Sequence, residues 1–407
     1  MVLCSAFLSA QEVTTPTSDT YKKRVLEAAE LQVLASYYQQ DGNNAAVTGG
    51  RGTEELTDAH PTVILALPLN EDDVLTASFG VSAYSSASSS NIDPFDGGGE
   101  PNVFQASSGA SGSDTWINGT VTYAHSSDDR NNVLSGTLSF SNEYDYRSFG
   151  LGGSYTRLMN EQNTELTVHG SAYLDNWKLI YPIELRGRDD LLDETGRNSY
   201  NLGVNFSQLL SRRAQAVFSM DLVRQEGLLS TPFQRVYFAD IAEIAVGDGD
   251  FFLAEDIERL PSTRNKLALG GRLHYYLNQR FVVRSFYRYY TDDWSVGSHT
   301  LNVELPIKFG SYFSIIPGYR YYTQTAAEYF AGFDEHLSTE TFYTSDYDLS
   351  NFQANQFSLG VSYLDILTDR SLFGWGLKSV DLNFSLYRRD NGFQASQVAL
   401  GLKVVHQ

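Results

Sequence analysis

The chain has 407 residues, of which 42% are hydrophobic and 13% aromatic, and it carries a net charge of −20. This acidic balance argues against a nucleic-acid partner, because a phosphate backbone requires a basic surface. The apolar residues are dispersed, and no run approaches the ~20 consecutive apolar residues that a membrane-spanning helix needs. With 26 Tyr, 24 Phe, 33 Gly and one Cys, the composition is typical of an extracytoplasmic β protein.

Residues 1–10 are predicted to be the remainder of a secretory signal peptide. They have an apolar centre and end in L-S-A, a small-residue cleavage site, although the usual positively charged start is missing. The alternative is that Cys4 is a lipidation cysteine, but it has almost no apolar run before it. Cleavage would leave a chain without cysteine and therefore without disulfide or thiol chemistry. Residues 11–20 are predicted to be a polar periplasmic linker.

From residue 21 to residue 407 the chain repeats one pattern, in which segments of about ten residues alternate apolar and polar side chains. In one such segment Leu267, Leu269 and Leu273 fall on one face, while Lys266 and Arg272 fall on the other. The pattern predicts strands at 30–40, 61–69, 73–84, 115–126, 133–143, 146–158, 164–177, 198–209, 214–224, 265–278, 281–292, 298–308, 312–324, 354–364, 380–389 and 395–406. The start of the first segment, 24–34, would also suit an amphipathic helix.

The connections between these segments differ in length. Short turns fall at 70–73, 160–163, 211–213, 278–280 and 309–311, and long connections fall near 41–60, 85–114, 179–197, 225–264 and 325–353. Short and long connections are expected to alternate, with an exception at 365–379. This asymmetry, together with an even number of strands, predicts an all-β protein. The predicted fold is a transmembrane antiparallel up-and-down β-barrel of about 16 strands, with short periplasmic turns and long extracellular loops.

A soluble β-sandwich or propeller would also show alternating strands. Two features indicate that the apolar face contacts lipid and does not lie in the core of a soluble protein. The polar face is rich in Gly, Ser, Thr, Asn and Arg, as a wet lumen would be, and tyrosines gather at strand ends as an interfacial girdle does. These tyrosines are Tyr37, Tyr38, Tyr84, Tyr123, Tyr289, Tyr321, Tyr363 and Tyr387. No propeller-like repeat is present. The expected location is the outer membrane of a Gram-negative bacterium, in contact with its lipid and lipopolysaccharide.

Assigning faces strand by strand predicts which residues line the lumen. The pore-lining set is Lys266, Arg272, His274, Arg284, Arg288, Tyr290, Asp292, Glu304, Lys308, Arg320 and Tyr322 on one wall, with Asp175, Asp221, Glu143 and His169 on the facing one. A basic wall opposite a weakly acidic wall would create a transverse field and concentrate anions. The alternative is a plugged interior in which the charges neutralise one another, for instance Arg288 with Glu304.

Catalysis has little support in the sequence. No histidine lies in a G-x-S-x-G or an H-E-x-x-H motif. His299 near Asp292 and Asp293 could form a hydrolytic pair, but a polar girdle at the outer rim is the favoured interpretation. No catalytic residue and no cofactor are predicted.

A metal site in the external loops is left open. The sequence G-D-G-D at 247–250, followed by Glu255, Asp256 and Glu258, offers the oxygen ligands that Ca²⁺ and Mg²⁺ prefer. The spacing matches neither an EF-hand nor a Ca²⁺-binding β-roll, and such a run is more often a solvated loop.

Five blocks of sequence are distinctive. They are S-Y-Y-Q-Q-D-G-N-N-A-A-V-T-G-G (36–50), L-S-T-P-F-Q-R-V-Y-F (229–238), R-Y-Y-T-D-D-W-S-V-G-S-H-T (288–300), Y-R-Y-Y-T-Q-T-A-A (319–327) and Y-T-S-D-Y-D-L-S (343–350). Together they resemble the bacterial outer-membrane family catalogued as domain of unknown function 3570. The resemblance implies an outer-membrane barrel of unassigned activity. It also implies gene neighbourhoods with a thioredoxin-like protein, a small lipoprotein and a flavin transferase, and it supplies no catalytic residues.

Two functions are therefore expected. The first is a porin-like channel or transporter for small solutes, with anions favoured by the basic wall. The second is a non-conducting barrel that anchors or docks a partner lipoprotein or an extracytoplasmic redox or metal-handling component. An enzyme is not predicted.

Overall fold

The computed structural model describes residues 24–85, 90–91, 105–106, 113–246, 251–365 and 371–407. The predicted signal remainder (1–10) and linker (11–20) lie outside these residues. Among the helices of the described part, none is long and apolar enough to cross a membrane.

Sixteen antiparallel strands form one closed barrel. They are β1 (Glu30–Asp41), β2 (Leu56–Pro68), β3 (Asp73–Ser85), β4 (Ser113–Ser126), β5 (Asn132–Asn142), β6 (Tyr146–Met159), β7 (Thr164–Lys178), β8 (Glu194–Ser211), β9 (Ala214–Gly227), β10 (Thr263–Tyr276), β11 (Val282–Asp292), β12 (Gly297–Glu304 and Ile307–Phe309), β13 (Phe313–Gln324), β14 (Phe352–Leu364), β15 (Trp375–Arg389) and β16 (Gln394–His406). Each strand pairs with its neighbours in chain order, and β1 pairs with β16 to close the ring. The predicted all-β barrel is confirmed, and its first element is a strand.

Strand β12 is interrupted at Leu305 and Pro306, where the regular hydrogen-bond ladder breaks. Proline has no backbone N–H to give to the ladder, and the strand resumes at Ile307, which pairs with Ile315 of β13. Both parts of β12 therefore belong to one wall position.

The outer surface of the barrel is apolar. Every one of the sixteen strands carries a large apolar side chain that is more than a third exposed, from Val33 on β1 to Leu400 on β16, and Phe357 on β14 is 62% exposed. Closure pairs the backbone groups of each strand with a neighbour, which is the condition for crossing a bilayer with strands. A contiguous apolar surface of this extent requires lipid. The protein is therefore a barrel of the Gram-negative outer membrane.

The connections at the two ends differ, but not by strict alternation. At one end the connections 42–55, 86–112, 179–193, 228–262 and 325–351 are long, while 143–145, 293–296 and 390–393 are tight. Most of 86–112 lies outside the described residues. At the other end most connections are tight turns, with 365–374 longer. An antiparallel pair needs only a two-residue link, so nothing in the barrel forces the outer connections to be long.

Four long connections (42–55, 179–193, 228–262 and 325–351) pack together over one mouth of the barrel, and we call them the cap. The cap has its own apolar clusters: Leu185, Tyr237 and Ala254 with Phe252, Ile257 and Phe333, and Val236, Phe238 and Tyr343. Backbone hydrogen bonds join separate connections, such as Ala239 N to His336 O at 2.8 Å. Long loops of outer-membrane barrels face outward, so the cap lies on the extracellular side.

Candidate functional site

The predicted basic residues converge on β10, β11 and β13, where strand register arranges them in lateral rows. One row across β10 to β14 contains Arg272, Phe286, Asn302, Arg320 and Gln356. The neighbouring row on the extracellular side contains Arg288, and the neighbouring row on the periplasmic side contains Arg284. We call Arg272, Arg284, Arg288 and Arg320 the basic wall.

Most of the basic wall is not neutralised. Arg284 Nη1 lies 3.7 Å from Glu304 Oε2, so Glu304 pairs with Arg284 and not with Arg288. In the described part of the chain, Arg272, Arg288 and Arg320 have no carboxylate within salt-bridge distance, and all three are exposed. A charge removed from water must be paired. These three arginines are therefore accessible to solvent from the inside of the barrel.

Asp292, which was expected to line the lumen, is a structural residue instead. Its side chain is 0% exposed, and Arg264 Nη2 lies 2.5 Å from Oδ2. Tyr290 donates its hydroxyl to Oδ2 at 2.6 Å, and the backbone N–H groups of Trp294 and Val296 donate to Oδ1 at 3.0 Å. The Arg264 guanidinium also lies 4.2 Å from the centre of the Trp294 ring. The group anchors the β11–β12 turn.

The other predicted lumen residues lie around the basic wall, with Lys266 above it, Lys308 below it, and His274 and Tyr322 level with it. Lys266 is half-buried and opposite Asp292 in the β10–β11 register, and His274 is opposite Arg284. Lys308 is exposed at the periplasmic end of β12. Tyr322, in the same row as Arg288, donates its hydroxyl to Gln324 Oε1 at 2.6 Å.

The predicted acidic wall does not face the basic wall. Asp221 on β9 lies 3.2 Å from His169 Nε2, and Asp175 on β7 lies 3.3 Å from Arg197 Nε. Both aspartates thus have local partners, on strands that are close to β10 around the ring. Glu143 lies in the outer turn between β5 and β6, where it accepts a hydrogen bond from the Tyr84 hydroxyl. The charges are therefore not divided between two opposed walls.

His299 and Asp292 do not form a catalytic pair. His299 lies on the outer face of β12, where its Nδ1 is 2.7 Å from the Tyr287 hydroxyl and its ring lies 5.2 Å from that of Tyr289. Asp292 belongs to the inner face with Lys266. The histidine is part of an aromatic, polar rim.

The acidic residues Asp256 and Glu258 of the connection 228–262 have structural partners. Residues 247–250 lie outside the described part of the chain. Asp256 is bound by Arg188 and Tyr343, and Glu258 accepts hydrogen bonds from Thr231 N and the Thr344 hydroxyl. Among the described residues, no group of three or more His, Cys, Asp or Glu side chains could hold a metal ion.

Three cavities lie along the inside of the barrel. The lowest, of 540 Å³, is lined by Arg288, Glu304 and Arg320. The middle one, of 620 Å³, shares Arg320 and Gln356 with it and is also lined by Tyr322. The uppermost, of 710 Å³, shares Gln40, Glu54 and Asp348 with the middle one and lies under the cap. Since neighbours share lining residues, the cavities form a stack from the basic wall to the cap.

The cap is held by buried polar groups that the sequence pattern did not reveal. Arg235 is 0% exposed, and its Nε and Nη2 donate to the two carboxylate oxygens of Glu184 at 2.7 and 3.1 Å. Its Nη1 donates to Val47 O at 3.1 Å, so one side chain joins three connections. Nearby, His336 Nδ1 lies 2.7 Å from Glu340 Oε2 and Nε2 lies 3.0 Å from Thr344 O.

Signals for these contacts were present in the distinctive blocks. Val47 lies in 36–50, Arg235 in 229–238 and Thr344 in 343–350, so three of the five blocks meet in the cap. The blocks 288–300 and 319–327 contain the basic wall residues Arg288 and Arg320.

Burial in the cap changes the proton affinity of its carboxylates. Burial, and then the charge of Asp346, raise the pKa of Glu258 to about 8. Burial, followed by the charge of Asp348, raises the pKa of Asp346 to about 6. These two groups are therefore more readily protonated than exposed carboxylates.

A family model agrees with the resemblance noted in the sequence. No curated protein matches the chain. Similar solved structures include a bacterial polysaccharide outer membrane secretin, which is 12% identical, covers 93% of this chain and 98% of its own, and has a TM-score of 0.46. The TodX monoaromatic hydrocarbon channel deltaS2 mutant is 10% identical, covers 94% and 90%, and has a TM-score of 0.41. The outer membrane protein opdK from Pseudomonas aeruginosa is 8% identical, covers 93% and 99%, and has a TM-score of 0.41. The model of the family described as Protein of unknown function (DUF3570) matches residues 1–396, and the chain belongs to this family.

Proposed function

We propose that this barrel is an outer-membrane channel or transporter for small anionic solutes. The observation that carries the proposal is the pair Arg288 and Arg320, which are exposed, unpaired within the described residues and in contact with the stacked cavities. Positive charge in a narrow lumen raises the local concentration of anions. The arginine guanidinium also presents a planar fork of donors that matches carboxylate and phosphate groups.

The cap sets the condition for passage. A solute that comes from outside has to pass between the cap and the rim of the barrel to reach the middle cavity, whose lining includes Glu54 and Asp348 of the cap as well as Arg320 of the wall. The cap therefore acts as a filter or a gate above the basic wall.

The test is single-channel recording of the purified full-length chain in planar bilayers under a KCl gradient. The wild-type protein should form ohmic pores with a reversal potential that indicates anion preference. The double variant Arg288→Gln plus Arg320→Gln should lose this preference severalfold. The matched control is Arg224→Gln, which removes an arginine from the outer face of β9, 3.4 Å from Glu226.

A folded wild-type barrel that passes no current would overturn the channel, provided that heat-modifiable migration in gels shows that the barrel is intact. That outcome would favour the second candidate function, a closed barrel that docks a lipoprotein or a redox or metal-handling component. The observation that favours this candidate is the packed cap, with its buried Arg235–Glu184 pair.

A further inference from the structure

The 710 Å³ cavity under the cap is lined by both aromatic and acidic side chains. Aromatic side chains line it from the rim of the barrel and from the cap: Tyr84, Trp116, Tyr144, Tyr146, Trp177 and Phe233. Tyr146 and Trp177 meet edge to face, with ring centres 6.2 Å apart. The volume lies within the ~300–1,000 Å³ typical of small-molecule sites.

Carboxylates line the same cavity from two sides. Asp114, Glu143 and Asp145 belong to the rim formed by β4, β5 and β6, and Glu54, Asp346 and Asp348 belong to the cap. Asp348 pairs with Arg389 Nη1 at 2.6 Å. The other five have no ion-pair partner among the described residues.

The cavity lining contains fewer cations than carboxylates, although Lys178 Nζ lies 5.4 Å from the centre of the Tyr144 ring and Arg389 pairs with Asp348. Arg197 is the one lysine or arginine among its described lining residues. Its Nε lies 3.3 Å from Asp175 Oδ2, and its guanidinium lies 5.5 and 5.6 Å from the ring centres of Tyr146 and Trp177. Its charge is thus already committed.

The carboxylates lie where negative charge is unfavourable. Burial raises the pKa of Glu54, of Glu143 and of Asp145 above their ordinary values. The charge of Asp145 adds to the effect on Glu143. Because desolvated carboxylates without an ion-pair partner favour the neutral form, a cation bound among them would offset this cost.

One buried acceptor in the cavity wall also has no partner. Gln234 lines the cavity and donates its Nε2 to Asp346 Oδ2 at 3.2 Å. Its Oε1 is buried and has no hydrogen-bond partner. Buried polar atoms are nearly always hydrogen-bonded, but this oxygen is closed off from the cavity in this conformation, so a ligand N–H reaches it only after the Gln234 amide turns.

We propose that this cavity binds an aliphatic polyamine or a similar organic cation with several ammonium groups. The two sets of carboxylates match charges at separated points, and the aromatic rings match both the ammonium groups and the methylene chain between them. After its amide turns, Gln234 accepts an ammonium N–H. A single metal ion fits less well, because within the described residues no three acidic or histidine side chains converge on one point. The site is separate from the basic wall, and so the proposal goes beyond anion passage.

Isothermal titration of the detergent-solubilised full-length chain with spermidine tests the proposal. We expect saturable binding of one spermidine per chain. The double variant Glu143→Gln plus Asp145→Asn keeps the hydrogen-bond acceptors for Tyr84 and Trp177 and removes two charges. It should weaken binding by about tenfold or more. Trp177→Leu should weaken it severalfold.

The matched control is Asp190→Asn plus Glu226→Gln, which removes two carboxylate charges that do not line the cavity. It should leave the affinity unchanged. Glu54→Gln, on the cap side, provides a second loss-of-charge variant if the rim variant does not fold.

Three results would overturn the proposal: no saturable binding to a folded barrel, an equal loss in the control, or displacement of spermidine by MgCl₂ at matched ionic strength. Because titration needs no ion flow, its outcome is independent of conductance. A silent barrel that binds spermidine would retain this site and exclude the channel, and a conducting barrel without binding would do the reverse.

Discussion

The cap and the basic wall use arginine in opposite ways. In the cap, Arg235 is completely buried and satisfied by both oxygens of Glu184 and by Val47 O. In the wall, Arg320 is exposed, and no carboxylate of the described residues reaches it. Where water is excluded, an unpaired charge would be too costly, so the sequence supplies a partner. Where water remains, the charge can be left free to act on solutes.

The two regions also differ in the sign of the charge that lines the barrel along its axis. The cavity under the cap is lined by carboxylates such as Glu54 and Asp145, whereas the lowest cavity is lined by Arg288 and Arg320. The field therefore changes along the axis and not across the lumen. If the barrel conducts as proposed, a solute from outside would meet an acidic, aromatic compartment before it meets the arginines, and the two regions would select for different chemical groups.

The largest effect should come from breaking the buried pair in the cap. Arg235→Ala leaves Glu184 buried without its counter-charge, and loss of one partner of such a pair costs about 3–5 kcal/mol. We expect amide hydrogen exchange in 229–238 to speed up by roughly two to three and a half powers of ten, since each 1.4 kcal/mol is about tenfold. Exchange mass spectrometry of the protein in nanodiscs measures this directly.

Two variants control for that result. Replacing both partners, Arg235→Leu with Glu184→Leu, removes the stranded charge and should recover much of the loss. Asp190→Asn removes a half-exposed partner of Arg188, where an ion pair contributes little. An Arg235→Ala protein with unchanged exchange in the cap would show that the pair does not hold the cap together.

A smaller but still large loss of stability should follow from Arg264→Gln, on strand β10 of the barrel. Arg264 resembles Arg235 more than Arg320, because its partner Asp292 is 0% exposed. Asp292 would keep the hydroxyl of Tyr290 and two backbone N–H donors, so we expect a loss of about 3 kcal/mol, at the lower end for a broken buried pair. The measurement is denaturant unfolding in detergent, followed by heat-modifiable migration. A loss below about 0.5 kcal/mol, which is typical of surface substitutions, would mean that location in the barrel, and not burial, determines what an arginine does.

The strands could be predicted because the alternation of apolar and polar residues that identifies them is a local property of the sequence. The alternation in 265–278 corresponds to the strand Thr263–Tyr276, and the apolar positions that it assigns to one face, such as Leu273, are exposed to lipid. Face assignment follows from the period of two, so the inward position of Arg288 and Arg320 could also be predicted. Each of these inferences needs only neighbouring residues.

The cap and the charge partners could not be predicted in this way. Arg235 meets Glu184 and Val47 across long stretches of chain, and irregular loops have no periodicity that would indicate such contacts. Asp292 was assigned correctly to the inner face, but its partner Arg264 lies on another strand. Alternation predicts the face on which a side chain lies but not its partner on the next strand. Arg284, and not Arg288, pairs with Glu304 because the β11–β12 register places Arg284 opposite Glu304.

The cap should also become less stable as the pH rises. The pKa of Glu258 is raised to about 8 in the folded cap, whereas an unfolded loop would have the ordinary value of about 4.3. Between these values the folded cap holds a proton that the unfolded one releases, so the stability contributed by the neutral carboxyl is lost as pH rises towards 8. Asp346, with a pKa of about 6, acts in the same direction at lower pH.

Hydrogen exchange of the cap at pH 6 and pH 9, corrected for intrinsic rates, measures this dependence. The wild-type cap should open more at pH 9. Glu258→Gln keeps a neutral polar side chain beside Thr231 and Thr344 and should reduce the dependence. Equal slopes in the two proteins would assign the pH sensitivity to a group other than Glu258.

The smallest effect on stability should come from the basic wall itself. Arg320 has no ion-pair partner among the described residues and is exposed to the lumen, so Arg320→Gln should change the free energy of unfolding by less than about 0.5 kcal/mol. The same variant should shift the reversal potential towards cations, because it removes an uncompensated positive charge beside Arg288. A loss of stability above about 1 kcal/mol would place Arg320 with Arg235 and Arg264 as a structural residue. Unchanged stability with altered selectivity would show that burial separates the arginines that build this barrel from those that act on its solutes.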